Sequence, residues 1–164
     1  MNGSTNAQPN TKMCIWLSHA SFAVEAGDPH GTSFTTVPIA YNCTASLDNE
    51  LISVSGSSIT VKKSGLYRIY YHPLFGSWSG SGYATAYGGT IVVNNVSQSV
   101  TQITSTDQYT TAPVDIELPL SAGDVIKAVT ISSVKTTLFG YHTGETGMWW
   151  DPSGYISITY YGGA

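Results

Sequence analysis

Apolar and polar residues alternate with a period of two along several short stretches of this chain. Residues 114–120, Val-Asp-Ile-Glu-Leu-Pro-Leu, alternate strictly, and residues 65–72 carry a similar alternation of aromatic and aliphatic groups. A period of two is the side-chain period of a β-strand, whereas an amphipathic helix repeats every 3.6 residues. These stretches predict strands, and no segment has helical periodicity of useful length.

Turn-forming residues separate the predicted strands every ~8–12 residues. Lys63-Ser64-Gly65 precedes the longest strand, and Ser121-Ala122-Gly123-Asp124 precedes a strand at residues 125–132. Asn94-Asn95 lies between two apolar runs, and both asparagines tolerate the positive φ of a tight hairpin. About eight to ten short strands predict an all-β sandwich in one domain, and ten strands favour a jelly roll.

The strand at residues 65–72 has no obvious water-facing side. Its two faces carry Tyr67, Ile69 and Tyr71 on one side and Leu66, Arg68, Tyr70 and His72 on the other. A strand with large apolar groups on both faces is covered on both, by a second sheet or by a partner chain. The pattern is therefore a first indication of an oligomer.

The composition narrows the class of protein. Charged residues make up 10% of the 164 residues, against roughly 25% in an average soluble protein. Such a surface is typical of extracellular modules and virion surface proteins rather than cytosolic enzymes. The net charge of −4 disfavours nucleic acid and anionic membranes as partners. No apolar run of 18 residues occurs, so no membrane-spanning helix is expected.

Catalytic and metal-binding motifs are missing from the sequence. The histidines are scattered, and Cys14 and Cys43 lack the spacing of a zinc site; two free thiols on strands or a disulfide both remain open. Gly-x-Ser-x-Gly, phosphate-loop and His-Glu-x-x-His motifs do not occur. Asp115 and Glu117 lie on one strand face and could form a carboxylate pair, but a solvated sheet face is favoured. We predict no enzymatic activity, no metal and no cofactor.

Four short motifs together resemble the C1q/TNF-like superfamily, and specifically the C1q globular head. Gly65-Leu66-Tyr67-Arg68-Ile69-Tyr70-Tyr71 resembles the family's Gly-x-Tyr-x-Phe-x-aromatic signature, with Ile69 replacing the Phe. Val93-Asn94-Asn95 resembles its Lys-Asn-Gly hairpin, and residues 120–126 resemble its Leu-x-x-Gly-Asp-x-Val strand entry. Ser153-Gly154-Tyr155-Ile156 resembles its closing Ser-Gly-Phe-Leu. The resemblance covers residues 14–161.

This resemblance implies a ten-stranded jelly-roll sandwich that forms compact homotrimers and serves as a binding or structural module without catalysis. The expected domain spans residues 13–164, after a polar N-terminal arm at residues 1–12. Tyr67, Ile69, Tyr71 and Tyr155 would form a spine of core and trimer. We expect the first three to point inward, between the two sheets, and the other face of the strand to meet neighbouring subunits.

Two aromatic loops are candidate binding sites. The first carries Tyr141, His142, Trp149 and Trp150 among glycines, and the second carries Trp78, Tyr83 and Tyr87. Aromatic residues in such loops stack on sugars or anchor protein partners. Alternatively, one tryptophan of the first loop plugs the end of the barrel and the other seals the trimer seam.

The low charge, the Ser/Thr/Gly/Tyr-rich composition and the lack of a recognisable signal peptide together favour a bacteriophage virion surface protein. One role is a capsid decoration (cement) or head-fibre protein, with the arm at residues 1–12 as a tether to capsid or tail proteins. The alternative is a receptor-binding tip whose aromatic loops recognise a glycan or protein on the bacterial host surface. Both place the protein at the virion surface.

Overall fold

The computed structural model describes residues 10–16, 22–24, 35–36, 44–76, 85–105, 109–132, 136–138 and 154–163. All regular elements within these residues are strands, as the alternating pattern predicts. The strands are β1 (Thr11–Trp16), β2 (Phe22–Val24), β3 (Thr35–Thr36), β4 (Thr44–Ser46), β5 (Ile52–Ser55), β6 (Ser58–Val61), β7 (Gly65–His72), β8 (Leu74–Gly76), β9 (Thr85–Val93), β10 (Val96–Ser105), β11 (Tyr109–Thr111), β12 (Val114–Leu120), β13 (Val125–Ser132), β14 (Thr136–Leu138) and β15 (Tyr155–Gly162).

Two antiparallel sheets form a sandwich. The first sheet has the order β12-β7-β15-β1-β4, and the second has the order β10-β9-β13-β6-β5, with β3 also pairing with β13. A smaller end sheet, β11-β8-β14-β2, contains β8, which follows β7 after Pro73, and β11, which precedes β12. The two main paths supply five strands each and β3 adds a sixth strand to the second sheet, so the expected all-β jelly-roll sandwich is confirmed.

The core lies between the two main sheets and is built from alternate residues of each strand. Tyr67, Ile69 and Tyr71 of β7 are 0% exposed and pack in one cluster with apolar residues of the second sheet, among them Ile91 and Ile126. Burying each such side chain contributes about 1.5–3 kcal/mol of hydrophobic free energy. The predicted inward orientation of Tyr67, Ile69 and Tyr71 is therefore confirmed.

Gly65 opens β7 at a point where no side chain fits. The rings of Tyr67 and Tyr160 lie 5.0 Å apart, centroid to centroid, just inside this end of the strand. A Cβ on Gly65 would overlap Cε2 of Tyr160 and would lie 2.6 Å from the carbonyl oxygen of Gly162. The glycine of the Gly-x-Tyr motif is thus required by close packing of the neighbouring strand.

The predicted hairpin at Asn94-Asn95 is confirmed. Both residues have positive φ, 50° and 67°, as a two-residue turn between β9 and β10 requires. The Asn94 side chain also reaches the neighbouring turn, donating to Oδ1 of Asp124 (2.8 Å) and accepting from the Val125 amide (3.0 Å). Asp124 in turn accepts from the Ser121 amide at 2.7 Å. These bonds fix the two adjacent turns relative to each other.

Several predicted boundaries are wrong. The first strand pattern, predicted from residue 14 to residue 26, contains two separate strands, β1 and β2. Thr11 and Lys12 belong to β1, where they pair with Tyr160 and Thr159, so the predicted arm is too long by two residues. The loop predicted for residues 76–89 ends earlier, because β9 already begins at Thr85. The loop was predicted too long because the glycine pair Gly88-Gly89 is typical of a loop.

Gly89 has a packing reason to lie within a strand. A Cβ at this position would lie 3.2 Å from the Ala112 carbonyl oxygen and 3.5 Å from the Tyr71 ring. The tightest of these contacts is with the Ala112 carbonyl oxygen, which would have to shift by a few tenths of an ångström to admit a side chain. Residues 47–54 also predict one short strand, but only residues 52–54 of it lie in a strand, β5, because a turn around Asp48 separates β4 from β5.

Candidate functional site

The outer face of the first sheet is the surface that turns away from the core. We use the name outer face for its outward-pointing residues on β1, β7, β12 and β15. These residues are Lys12, Cys14, Leu66, Arg68, Tyr70, His72, Asp115, Glu117, Pro119, Tyr155, Ser157, Thr159 and Tyr161. In each strand they alternate with buried residues of the core.

Three aromatic rings form a cluster on this face. His72 stacks on Tyr155, with ring centroids 5.2 Å apart and planes inclined by 20°. Tyr70 lies 5.8 Å from Tyr155 and 6.1 Å from His72. All three side chains are half-buried. Burial raises the pKa of the Tyr155 phenol, and the neighbouring Tyr70 hydroxyl raises it further.

An ion pair borders the aromatic cluster. The Arg68 guanidinium donates from Nε to Oδ1 of Asp115 at 2.8 Å and from Nη2 to Oδ2 of the same carboxylate. Hydrogen bonding by Arg68 lowers the pKa of Asp115, while Asp115 and a hydrogen bond with Tyr161 raise the pKa of Arg68. The side chains are 47% and 41% exposed, so solvent screens much of this attraction.

A shallow groove of about 470 Å³ crosses the outer face. Its floor follows β15, where Ser157 and Thr159 carry short hydroxyl side chains. Longer side chains of the neighbouring strands rise on either side, and tyrosines at both ends of β15 complete the lining. The remaining lining residues are Lys12, Arg68, Tyr70, Tyr155 and Tyr161. The groove thus combines tyrosine rings, hydroxyl groups and two cations, and no carboxylate lines it.

The structure separates the predicted site residues into three groups. Tyr67, Ile69 and Tyr71 lie in the core, but Tyr155, predicted with them, lies on the outer face. Tyr87 is 1% exposed, and its ring lies 4.9 Å from that of Phe75, so its predicted place in an exposed loop is wrong. The other predicted binding residues lie outside the described residues. These are Trp78, Tyr83, Tyr141, His142, Trp149 and Trp150.

Cys14 lies on the outer face as a free, half-buried thiol whose pKa is raised by burial. The other cysteine, Cys43, lies outside the described residues. Within the described ranges, no three His, Cys, Asp or Glu side chains come together in a way that could hold a metal ion. The same ranges contain no helix with the length and hydrophobicity to cross a membrane.

Asp115 and Glu117 both project from β12 toward solvent, as the solvated-face interpretation expects. Paired carboxylates used for acid–base catalysis differ in environment, with the pKa of one raised above its ordinary range. Here the ion pair with Arg68 lowers the pKa of Asp115 instead. The arrangement holds a charge at the surface and does not poise a proton for transfer.

Comparison with solved structures identifies the architecture. The chain superposes on murine APRIL with a TM-score of 0.61 at 13% identity, covering 91% of this chain and 98% of that one. It superposes on the Eiger TNF of S. frugiperda with a TM-score of 0.62 at 12% identity, covering 96% of each chain. No family model matches the sequence, and no curated protein does. The chain therefore has the TNF-like jelly-roll fold, in agreement with the C1q/TNF-like resemblance of its motifs.

Proposed function

We propose that the protein is a non-catalytic module that works as a homotrimer on the surface of a bacteriophage virion. The observation that carries the proposal is the outer face, where Tyr70, His72 and Tyr155 form an aromatic cluster on a sheet already packed on its other side. Tyrosines are enriched in protein interfaces and charges are depleted from their centres. This face has both properties along β15.

Self-association through the outer face would explain why β7 carries large apolar side chains on both of its faces. Its inward set lies in the core, and its outward set still includes Leu66, Tyr70 and His72. Leu66 is 39% exposed, one of the large apolar side chains that remain accessible. A second copy covering this face would bury apolar area worth about 25 cal/mol per Å². The proposal is tested by light scattering after size exclusion, where three chains are expected and a monomer at micromolar concentration would contradict it.

The virion role is supported by composition and by the lack of a poised catalytic group among the described outer-face residues. With 10% charged residues, the surface is suited to close packing in a large assembly. As a capsid decoration or head-fibre protein, the trimer would clamp capsid subunits, with the segment before β1 as a tether. Thr11 and Lys12 do not belong to this tether, because both are part of the first sheet.

The tether is tested by removing residues 1–9 and measuring binding to empty capsids. These would be assembled from the major capsid protein of the phage that carries this chain. The truncation leaves β1 intact, so a loss of saturable binding with an unchanged trimer supports the decoration role. Unchanged capsid binding by the truncated trimer would contradict the tether. If the full-length protein does not bind capsids at all, the decoration role is contradicted as well.

The second candidate function is a receptor-binding tip. It is favoured by the tryptophans and tyrosines of the two predicted loops, whose rings could stack on a host glycan or anchor a host protein. Replacing Trp149 and Trp150 together by alanine should then abolish binding to host cells while leaving the trimer intact. Binding that survives this change would assign these tryptophans to structure.

A further inference from the structure

Lys12 and Glu117 lie toward opposite sides of the first sheet, in one cross-strand row of the outer face. The strand register places Glu117 beside Arg68, Arg68 beside Thr159, and Thr159 beside Lys12. Neighbouring strands are about 4.8 Å apart, so the backbones of the two terminal residues of this row are roughly 14 Å apart. Thr159 and Arg68 stand between them, and no ion pair joins Lys12 to Glu117.

Neither of these charges is paired within the part of the chain that the structure describes. Arg68 stands directly opposite Glu117, yet its guanidinium is turned to Asp115. The carboxylate partner of Arg68 is Asp115, in an ion pair that leaves Glu117 aside. Both Lys12 and Glu117 are exposed. In solution water satisfies these charges, but a neighbour covering the face would have to replace that water.

We propose that Lys12 of one subunit pairs with Glu117 of the neighbouring subunit when copies of the chain associate through the outer face. This inference rests on the proposed self-association and names the charge pair that orients it. In a closed ring, one patch of each subunit contacts a different patch of the next. A row that is positive on one side and negative on the other is complementary to its own copy when Lys12 of one subunit faces Glu117 of the next, and like charges oppose arrangements in which Lys12 faces Lys12 or Glu117 faces Glu117.

Charge reversal separates this pair from a general loss of surface charge. The variants are Lys12→Glu, Glu117→Lys and the combination of both, and sedimentation equilibrium measures their association. Each single reversal should weaken association on the order of 100-fold, because like charges then face each other across the interface. The double variant should return to within about threefold of the wild type, since the pair is restored with its signs exchanged.

A matched control has the same change in net charge away from the outer face. Lys62→Glu serves this purpose, because Lys62 is exposed and its ammonium donates to the Asn49 carbonyl oxygen at 2.9 Å in a turn. Its association should equal that of the wild type. Thermal unfolding of every variant checks that the jelly roll is intact.

The possible results test the Lys12–Glu117 pair separately from the proposed homotrimer. A wild-type protein that stays monomeric contradicts the proposed trimer itself. If the wild type assembles and each single reversal variant associates as strongly as the Lys62→Glu control, the pair is overturned and the trimer is not. The pair is also overturned if the single reversals weaken association and the double variant does not recover.

Discussion

Arg68 pairs with Asp115, its diagonal neighbour on β12, and not with Glu117, which stands directly opposite in the strand register. The choice has two consequences for the outer face. It places the neutralised pair beside Tyr70, which is opposite Asp115, and it leaves the Glu117 carboxylate without a cationic partner among the described residues. The outer face therefore has no net charge beside its aromatic cluster, and its unpaired charges lie farther away. This distribution is expected for a surface that docks in one orientation.

Replacing Gly65 by alanine should lower the free energy of unfolding by about 1–3 kcal/mol, the usual cost of overpacking. The added Cβ meets the Tyr160 ring and the backbone of Gly162, and backbone cannot move aside as a flexible side chain can. Urea denaturation measures the change. Gly163→Ala is the control, because a Cβ there comes no closer than 3.5 Å to its neighbours. Equal stability of the two variants would contradict the packing argument.

Two buried tyrosines should respond in opposite ways to removal of the hydroxyl. The Tyr67 hydroxyl donates to the Lys63 carbonyl oxygen at 2.6 Å, so Tyr67→Phe should cost about 1 kcal/mol. The Tyr71 hydroxyl is buried and makes no hydrogen bond with any described residue, so Tyr71→Phe should be neutral or stabilising. Thermal unfolding of both variants provides the comparison. Destabilisation by Tyr71→Phe would show that the hydroxyl has a partner, such as a trapped water.

The turn that holds Asp124 should make a pH-dependent contribution to stability. Hydrogen bonds from the Ser121 amide and the Asn94 side chain lower the pKa of Asp124 in the folded protein. A lowered folded-state pKa stabilises the protein above the unfolded value of about 3.9, and this stabilisation is lost as pH falls through the folded value. Asp124→Asn should therefore destabilise the protein at pH 7, and the difference from wild type should shrink below about pH 4.

The comparison of Asp124→Asn with the wild type needs, as its control, a carboxylate that accepts no such hydrogen bonds. Glu117 is suitable because it is exposed and outside any ion pair of the described residues. Glu117→Gln should change the stability of the monomer little at either pH. A difference between Asp124→Asn and wild type that stays constant from pH 7 to pH 3 would assign the effect to the shape of the asparagine rather than to charge.

The hairpin offers a test of backbone conformation. Asn95 has a φ of 67°, which asparagine and glycine adopt at lower cost than other residues. Asn95→Gly should therefore preserve the stability or increase it slightly, whereas Asn95→Val should lower the free energy of unfolding by about 1 kcal/mol or more. Chemical denaturation measures both. Equal stability of the valine and glycine variants would contradict the assigned turn.

The sequence was sufficient for the fold because its signals are local. Strict alternation defined β12 to the residue, and the paired asparagines defined the hairpin, since each signal arises from backbone sterics within a few positions. Predictions failed where tertiary contacts decide. Gly88-Gly89 has a loop composition but lies in β9, because both residues pair with β10 on one side and β13 on the other.

The candidate site was only partly predictable for a related reason. Alternation places Arg68 and Tyr70 on one face of β7, but only the strand order brings β1 and β15 beside them. Lys12 was assigned to a flexible arm because the polar sequence around it has no strand pattern of its own. Its place in the first sheet follows from pairing with Thr159, a contact between distant parts of the chain.

The most direct test of the outer face is the mass of two arginine variants in solution beside that of the wild type. The wild-type protein should sediment as three chains, 3 × 17.4 = 52.2 kDa. Tyr70→Arg puts a charge into the aromatic cluster and should give the 17.4 kDa monomer, while Ser55→Arg, at the exposed end of β5 in the second sheet, should remain a trimer. A monomeric wild type, or a Tyr70→Arg variant that remains a full trimer, would contradict self-association through this face.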